Sequence, residues 1–226
     1  MKYQSFRVIV IALFATASTA WAGNFNTLAF SGDGDKDLYL EPGTEQAIGE
    51  ARYGNAALNG DWEIGVGMTT QSPPLFEQAQ YDWQNGATVP FSFTWDGTTL
   101  GFTVDGVMVS YDTFPGGITV DDLFIRAASG DNNAAELTNL AIGGNPLGID
   151  HGAGLVGSQR EWLVVIGTFQ NPFNLTGDLT FTWTDEDGLA GSLPSVQFKL
   201  GNYIPEPTSG ILLLLASAAC VIRRRS

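Results

Sequence analysis

Three short stretches of the chain carry side chains whose types and spacing suit chemistry. Asp33-Gly34-Asp35-Lys36-Asp37 sets three carboxylates at alternate positions around a glycine. Hard Ca2+ takes about six to eight oxygen ligands, and an alternating acidic loop supplies several at one point. Asp33, Asp35 and Asp37 are therefore the candidate metal ligands, with Ca2+ as the one candidate cofactor and a plain solvated loop as the alternative. The EF-hand pattern is not met, since Leu38 stands where it needs glycine and Thr44 where it needs a bidentate glutamate. Asp185-Glu186-Asp187-Gly188 also clusters carboxylates, but ahead of a glycine, where a solvated turn is expected. His151 is the only histidine; it follows Asp150 in a glycine-rich stretch. A serine nucleophile would need an elbow such as Gly-x-Ser-x-Gly, which Gly157-Ser158-Gln159-Arg160 does not supply. No catalytic constellation emerges, and the expectation is a protein that is not an enzyme.

A second kind of chemistry is stacking. Trp62, Trp83, Trp95, Trp162 and Trp183 lie in or beside apolar runs, where core packing is the ordinary role. Trp83 and Trp95 are each flanked by an aspartate, Asp82 and Asp96, and are the two candidates for a sugar-binding role at the surface.

The elements that must position these residues read as short strands. Apolar runs, several with period two, recur at Phe25 to Phe30, Asp61 to Val66, Phe76 to Trp83, Phe91 to Trp95, Leu100 to Val104 and Val107 to Tyr111. They continue at Leu123 to Ala127, Glu136 to Ile142, Trp162 to Phe169, Leu179 to Trp183 and Val196 to Leu200. Asp105-Gly106 supplies the positive φ angles of a type I′ hairpin turn, and Trp95-Asp96-Gly97-Thr98 is expected to form another just before it. Gly43 to Tyr53 is the best helical candidate, a weak one; Gly143 to Pro146 and His151 to Gln159 read as loops. The fold class expected is all-β, an antiparallel β-sandwich of jelly-roll or concanavalin-like form.

Charge bounds the partners. Both ends are basic: Lys2 and Arg7 at the start, and Arg223, Arg224 and Arg225 at the finish. Residues 23–203 keep five basic against 23 acidic residues, a balance of −18. A field of that sign repels phosphate backbones, so no nucleic-acid partner is expected. The single cysteine, Cys220, lies near the C-terminus, so residues 23–203 form no disulfide and no cysteine-based metal site or nucleophile.

The two ends read as addresses. Residues 1–22 have the order of a signal peptide: a basic start, an apolar run from Val8 to Ala15, and a small-x-small exit at Ala20-Trp21-Ala22 that signal peptidase would cleave. At the other end Ile204-Pro205-Glu206-Pro207 is held extended by its prolines. A helix from Thr208 to Ile222 would be about 22 Å long, short of the roughly 30 Å hydrocarbon layer. The arginine cluster would stay cytoplasmic, which puts Pro205-Glu206-Pro207 on the outer face.

Residues 204–226 resemble the PEP-CTERM sorting signal: a V/I-P-E-P motif, a short transmembrane segment and a basic terminus, in that order at the chain end. The resemblance implies recognition by an exosortase, a membrane transpeptidase-like enzyme of Gram-negative bacteria that also make exopolysaccharide. It makes Pro205, Glu206 and Pro207 the sorting motif and Arg223, Arg224 and Arg225 the basic stop. The organisation expected is a signal peptide (1–22), a β-sandwich ectodomain (23–203) and a sorting tail (204–226), the tail tethering the precursor to the inner membrane. From there the protein would pass to the outer envelope, cell surface or extracellular matrix, in association with exopolysaccharide or biofilm. The phrase from Phe93 to Leu100, with Val104 to Val107, is similar to sequences of concanavalin-like sandwiches, which implies a lectin-like carbohydrate-binding module as one alternative and a glycoside hydrolase or lyase as another. The Glu-x-Asp-x-x-Glu spacing of laminarinase-type enzymes is absent.

Overall fold

The computed structural model describes residues 25–32, 45–53, 63–68, 76–112, 120, 122–155, 157–166, 169, 172–184 and 193–201. They build fourteen strands: β1 (Asn26–Ser31), β2 (Glu45–Arg52), β3 (Ile64–Met68), β4 (Phe76–Ala79), β5 (Thr88–Trp95), β6 (Leu100–Val104) and β7 (Val107–Tyr111). The rest are β8 (Asp122–Ser129), β9 (Asn133–Ile142), β10 (Asn145–Pro146), β11 (His151–Ala153), β12 (Gln159–Ile166), β13 (Phe173–Trp183) and β14 (Ser195–Gly201). Sheet A runs β1-β12-β8-β14-β2-β3-β4, and sheet B runs β10-β9-β13-β5-β6-β7 with β11 also on β9. Every pairing is antiparallel. Two such sheets sharing one core form a β-sandwich.

Alternation explains the core. In sheet A the inward positions are Leu123, Ile125 and Ala127 on β8, Leu163 and Val165 on β12, and Val196, Phe198 and Leu200 on β14. Sheet B answers with a set of aromatics. Phe91, Phe93 and Phe102 surround Phe198, whose ring lies 4.9 Å from that of Phe91 and 5.6 Å from that of Phe93, and Phe173 packs edge-on against Phe93. The aromatic layer fits because the facing positions of β2 are small: Ala47, Gly49 and Ala51.

The two hairpin turns form as expected. Asp105 and Gly106 adopt φ of 45° and 83° between β6 and β7. Between β5 and β6 the Asp96 carboxylate accepts from the amides of Thr98 (2.8 Å) and Thr99 (2.7 Å). These bonds, led by that of Thr99, hold the Asp96 pKa below the usual carboxylate value.

Three expectations need correction. Gly43 to Tyr53 is not helical where described: Glu45–Arg52 is strand β2, between β14 and β3. Its Glu, Gln, Ala and Arg residues favour helices locally, but its period-two face is written in alanine and glycine, and packing against Phe93 overrides propensity. His151–Ala153 and Asn145–Pro146 are short strands on β9 rather than loop. The strand beginning at Phe76 stops at Ala79, so Tyr81 and Trp83 stand outside it.

β9 carries one extra residue against β13 where the register shifts, with Asn139 at φ 53°. This bulge leaves both ends of β9 presenting apolar residues inward, Ala135 and Leu137 before it and Leu140 and Ile142 after it. Opposite, Gly177 has no room for a side chain: a Cβ there would lie 2.9 Å from both Phe91 Cε1 and the Thr138 carbonyl.

Candidate functional site

The chemistry-bearing residues separate once folded. Asp33, Asp35 and Asp37, the signal exit at Ala20 and Ala22, the motif Pro205-Glu206-Pro207, and Arg223, Arg224 and Arg225 lie outside the described residues, as do Trp62 and Asp185 to Gly188. Among the described residues no group of three or more His, Cys, Asp or Glu side chains is placed to hold a metal ion.

Trp83 and Trp95 are in the core, 4% and 3% exposed, and not on the surface where a sugar ring could stack. The Trp83 ring packs at 4.5 Å from both Tyr81 and Phe181, and its indole N–H donates to the Arg52 carbonyl at 3.0 Å. Beside it Asn85 mimics a strand partner: its amide donates to the Trp183 carbonyl (2.7 Å) while its carbonyl accepts from the Trp183 amide (3.0 Å). Asn85→Ala leaves both backbone groups unpaired and is expected to cost about 2 kcal/mol in chemical denaturation.

His151 also proves structural. It sits on β11 of sheet B, yet its Nε2–H donates 3.0 Å across to the carbonyl of Glu161 on β12 of sheet A, joining the two sheets. Burial lowers its pKa, against opposing pulls from Glu161 and the Ile125 backbone. The fold therefore holds the neutral ring, and the unfolded chain takes up the proton first. Stability from this group is fully present above the unfolded value of 6.5 and is lost as pH falls below it. The melting temperature of the wild type is expected to fall more than that of His151→Gln between neutral pH and about pH 5; equal slopes would exclude this role.

Two extended faces remain. The outer face of sheet B is a half-buried hydroxyl ladder: Thr176, Ser92 and Thr103 lie side by side across β13, β5 and β6, and Thr88 and Thr180 share a hydrogen bond of 2.8 Å. Asp178, held by the Asn139 amide at 2.7 Å, adds a carboxylate. Side chains on neighbouring strands stand about 4.8 Å apart, so the face offers donors and acceptors at regular spacing. No described basic residue lies on it, which disfavours anionic ligands.

The outer face of sheet A is the opposite. Register places Arg160, Arg126, Lys199 and Arg52 all on it, and with Lys36 these are every basic residue of 23–203. Burial lowers the Arg52 pKa, and Glu50 and Glu63 beside it oppose that shift. At the centre Trp162 is 1% exposed, with Arg126 and Lys199 over its ring at 5.8 Å and 5.3 Å. Trp162, Phe124 and Val164 form a second apolar cluster, separate from the core. Sequence reading missed this cluster because β8 and β12 are apolar on both faces; only the parity of Leu123 and Leu163 against Phe124 and Trp162 distinguishes outward from inward.

Fold and faces together define an antiparallel β-sandwich with one polar hydroxyl face and one face that collects the described basic residues. No family model matches the chain, and no curated protein matches it.

Proposed function

We propose that this chain is an exported envelope or matrix protein, delivered through a PEP-CTERM-type tail. The reading is supported by the two terminal segments taken together: a basic-apolar-small start, and an end that combines Ile204-Pro205-Glu206-Pro207, a short apolar run and Arg223 to Arg225. A β-sandwich without cysteine suits export, since its stability does not depend on the redox state outside the cytoplasm. In this reading signal peptidase removes residues 1–22, the tail arrests the precursor in the inner membrane, and an exosortase acts near Pro205, Glu206 and Pro207. Replacing Glu206 and both prolines by alanine in the producing cell is expected to leave a membrane-retained form of higher mass, read by immunoblot of cell fractions. Unchanged tail removal in that variant would reject the reading.

A second reading concerns the role of the ectodomain. The hydroxyl ladder on sheet B, spanning Thr176, Ser92 and Thr103, favours a neutral, hydroxylated polymer such as the producer's exopolysaccharide. Recognition would rest on hydrogen bonds rather than tryptophan stacking. Retention on the isolated polysaccharide is expected to be lost in Ser92→Arg with Thr176→Arg, while the circular dichroism spectrum is kept. Equal retention of the variant would discard this reading, and with it the polymer as a partner of that face.

A further inference from the structure

The dipeptide Asn-Gly occurs at Asn59-Gly60 and Asn85-Gly86, and the second lies among the described residues. Such a pair is chemically unstable in a free chain. The glycine amide nitrogen attacks the asparagine side-chain carbon, because no Cβ on the following residue blocks the approach. A C–N bond forms and closes a cyclic imide, the Cγ–Nδ2 bond breaks, and ammonia leaves with the proton that the amide gives up. Water then opens the imide at either carbonyl, giving aspartate or its β-linked isomer, isoaspartate. Water is the only co-reactant.

The fold holds both reacting groups. Gln84 to Ala87 is a tight turn closed by the Ala87 amide on the Gln84 carbonyl at 2.9 Å, with Gly86 at φ 73°. A positive φ at the third residue is what glycine supplies in a type II turn. The turn sits where β13 outruns β5: β5 starts at Thr88, opposite Thr180, whereas β13 continues to Trp183. There the turn serves as the missing strand. The attacking group, the Gly86 N–H, donates to the Phe181 carbonyl at 2.9 Å. The attacked group, the Asn85 carboxamide, is held by two bonds to the Trp183 backbone, at 2.7 Å and 3.0 Å. The anchor behind them is core, since Phe181 and Trp183 are buried and the Trp183 ring stacks on Tyr53 at 4.3 Å.

Each contact opposes one requirement of the reaction. The amide must lose its proton, and the Phe181 carbonyl retains it. The carboxamide must turn its carbon toward the Gly86 nitrogen, and the paired bonds to Trp183 fix its orientation. Burial is not what protects the site: Asn85 and Gly86 are both exposed, so water reaches the turn. Geometry restrains the reaction, and local opening of the turn lifts the restraint.

We infer that Asn85-Gly86 is a latent modification site, inert while the turn is docked on β13 and converted to aspartate or isoaspartate when it opens. The conversion is one-way in structure as well as in chemistry. Aspartate brings only acceptors to a place that needs one donor and one acceptor, so its carboxylate faces the Trp183 carbonyl. Isoaspartate adds a methylene to the main chain and displaces Gly86 from Phe181. Either product uncaps the end of β13 beside Trp83, whose indole holds the Arg52 carbonyl. An opening event is thereby recorded in the covalent chain.

Peptide mapping by mass spectrometry tests this in the full chain at neutral pH, native and fully unfolded in urea. Conversion at Asn85 is expected to be about tenfold or more faster in urea, with Asn59-Gly60 in the same unfolded sample calibrating the rate of an unconstrained dipeptide. Equal rates at Asn85 in the native and unfolded chain would overturn the proposal. Isoaspartate among the products supports the imide route, and aspartate alone would exclude it, because direct hydrolysis of the side chain gives no isomer. Asn85→Asp reproduces one product, and in it the Gly86 and Trp183 amides are expected to exchange hydrogen about tenfold or more faster than in wild type. Wild-type exchange at both amides would refute the one-way step. Should Asn85→Asp not fold, the same exchange is read on wild-type chain aged in solution and enriched for the converted form, with the same two outcomes.

Discussion

Gly49→Val is expected to destabilise the domain by about 3 kcal/mol or more, a large share of the 5–15 kcal/mol that holds a typical domain together. Gly49 lies on the inward side of β2, and an added Cβ would come within 2.7 Å of Phe93 Cε2 and 2.9 Å of its Cδ2. The ring has little space to retreat, since Phe93 is fully buried and packed edge-on against Phe102 and Phe173 and face-on against Phe198. Gly49→Ala needs a smaller shift and should cost about 2 kcal/mol, even though alanine loses less conformational entropy on folding than glycine. If the clash is the cause, Phe93→Leu in the same chain should recover part of the Gly49→Ala loss, and a double-mutant cycle in urea measures that coupling. Additive effects would mean that the strand, and not the ring, rejects the side chain.

Trp83→Ala is expected to cost about 3–5 kcal/mol, and Trp83→Phe about 1–2 kcal/mol. The alanine variant empties a site where the ring meets Tyr81 and Phe181 and also abandons the hydrogen bond to the Arg52 carbonyl. Phenylalanine refills most of the volume and forfeits only the N–H. Equilibrium denaturation separates the two, and an alanine variant within about 1 kcal/mol of wild type would mean that the ring is not part of the core. The result bears on function as well. Loss of polysaccharide retention in Trp83→Ala or Trp95→Ala would report unfolding, because both rings are enclosed. A test of sugar binding belongs on Thr176, Ser92 and Thr103, where substitution leaves the core intact.

Much of the architecture was legible because inward residues of most strands are large and apolar. Phe91, Phe93 and Trp95 on β5, or Leu100, Phe102 and Val104 on β6, alternate with small or polar residues, and Asp105-Gly106 marks the turn that follows β7's partner. β2 was not legible for the opposite reason. Its inward set of Ala47, Gly49 and Ala51 is small because it faces an aromatic layer contributed mainly by the other sheet, and that requirement is invisible in the local sequence. His151 and Trp83 looked like candidates for chemistry by their rarity and their acidic neighbours; their contacts across the sandwich make them structural.

The chain by itself determined the strand period, the hairpin turns, the acidity of residues 23–203 and the basic and apolar composition of the ends, since each depends on neighbours only a few residues apart. Tertiary structure alone decided which face each strand turns inward. It gathered Arg52, Arg126, Arg160 and Lys199, scattered along the sequence, onto one face of sheet A, and laid Thr176, Ser92 and Thr103 in one row on sheet B. The physical reason is register: antiparallel pairing brings residues far apart in the chain to within about 5 Å, and no local pattern encodes which partner a strand will find.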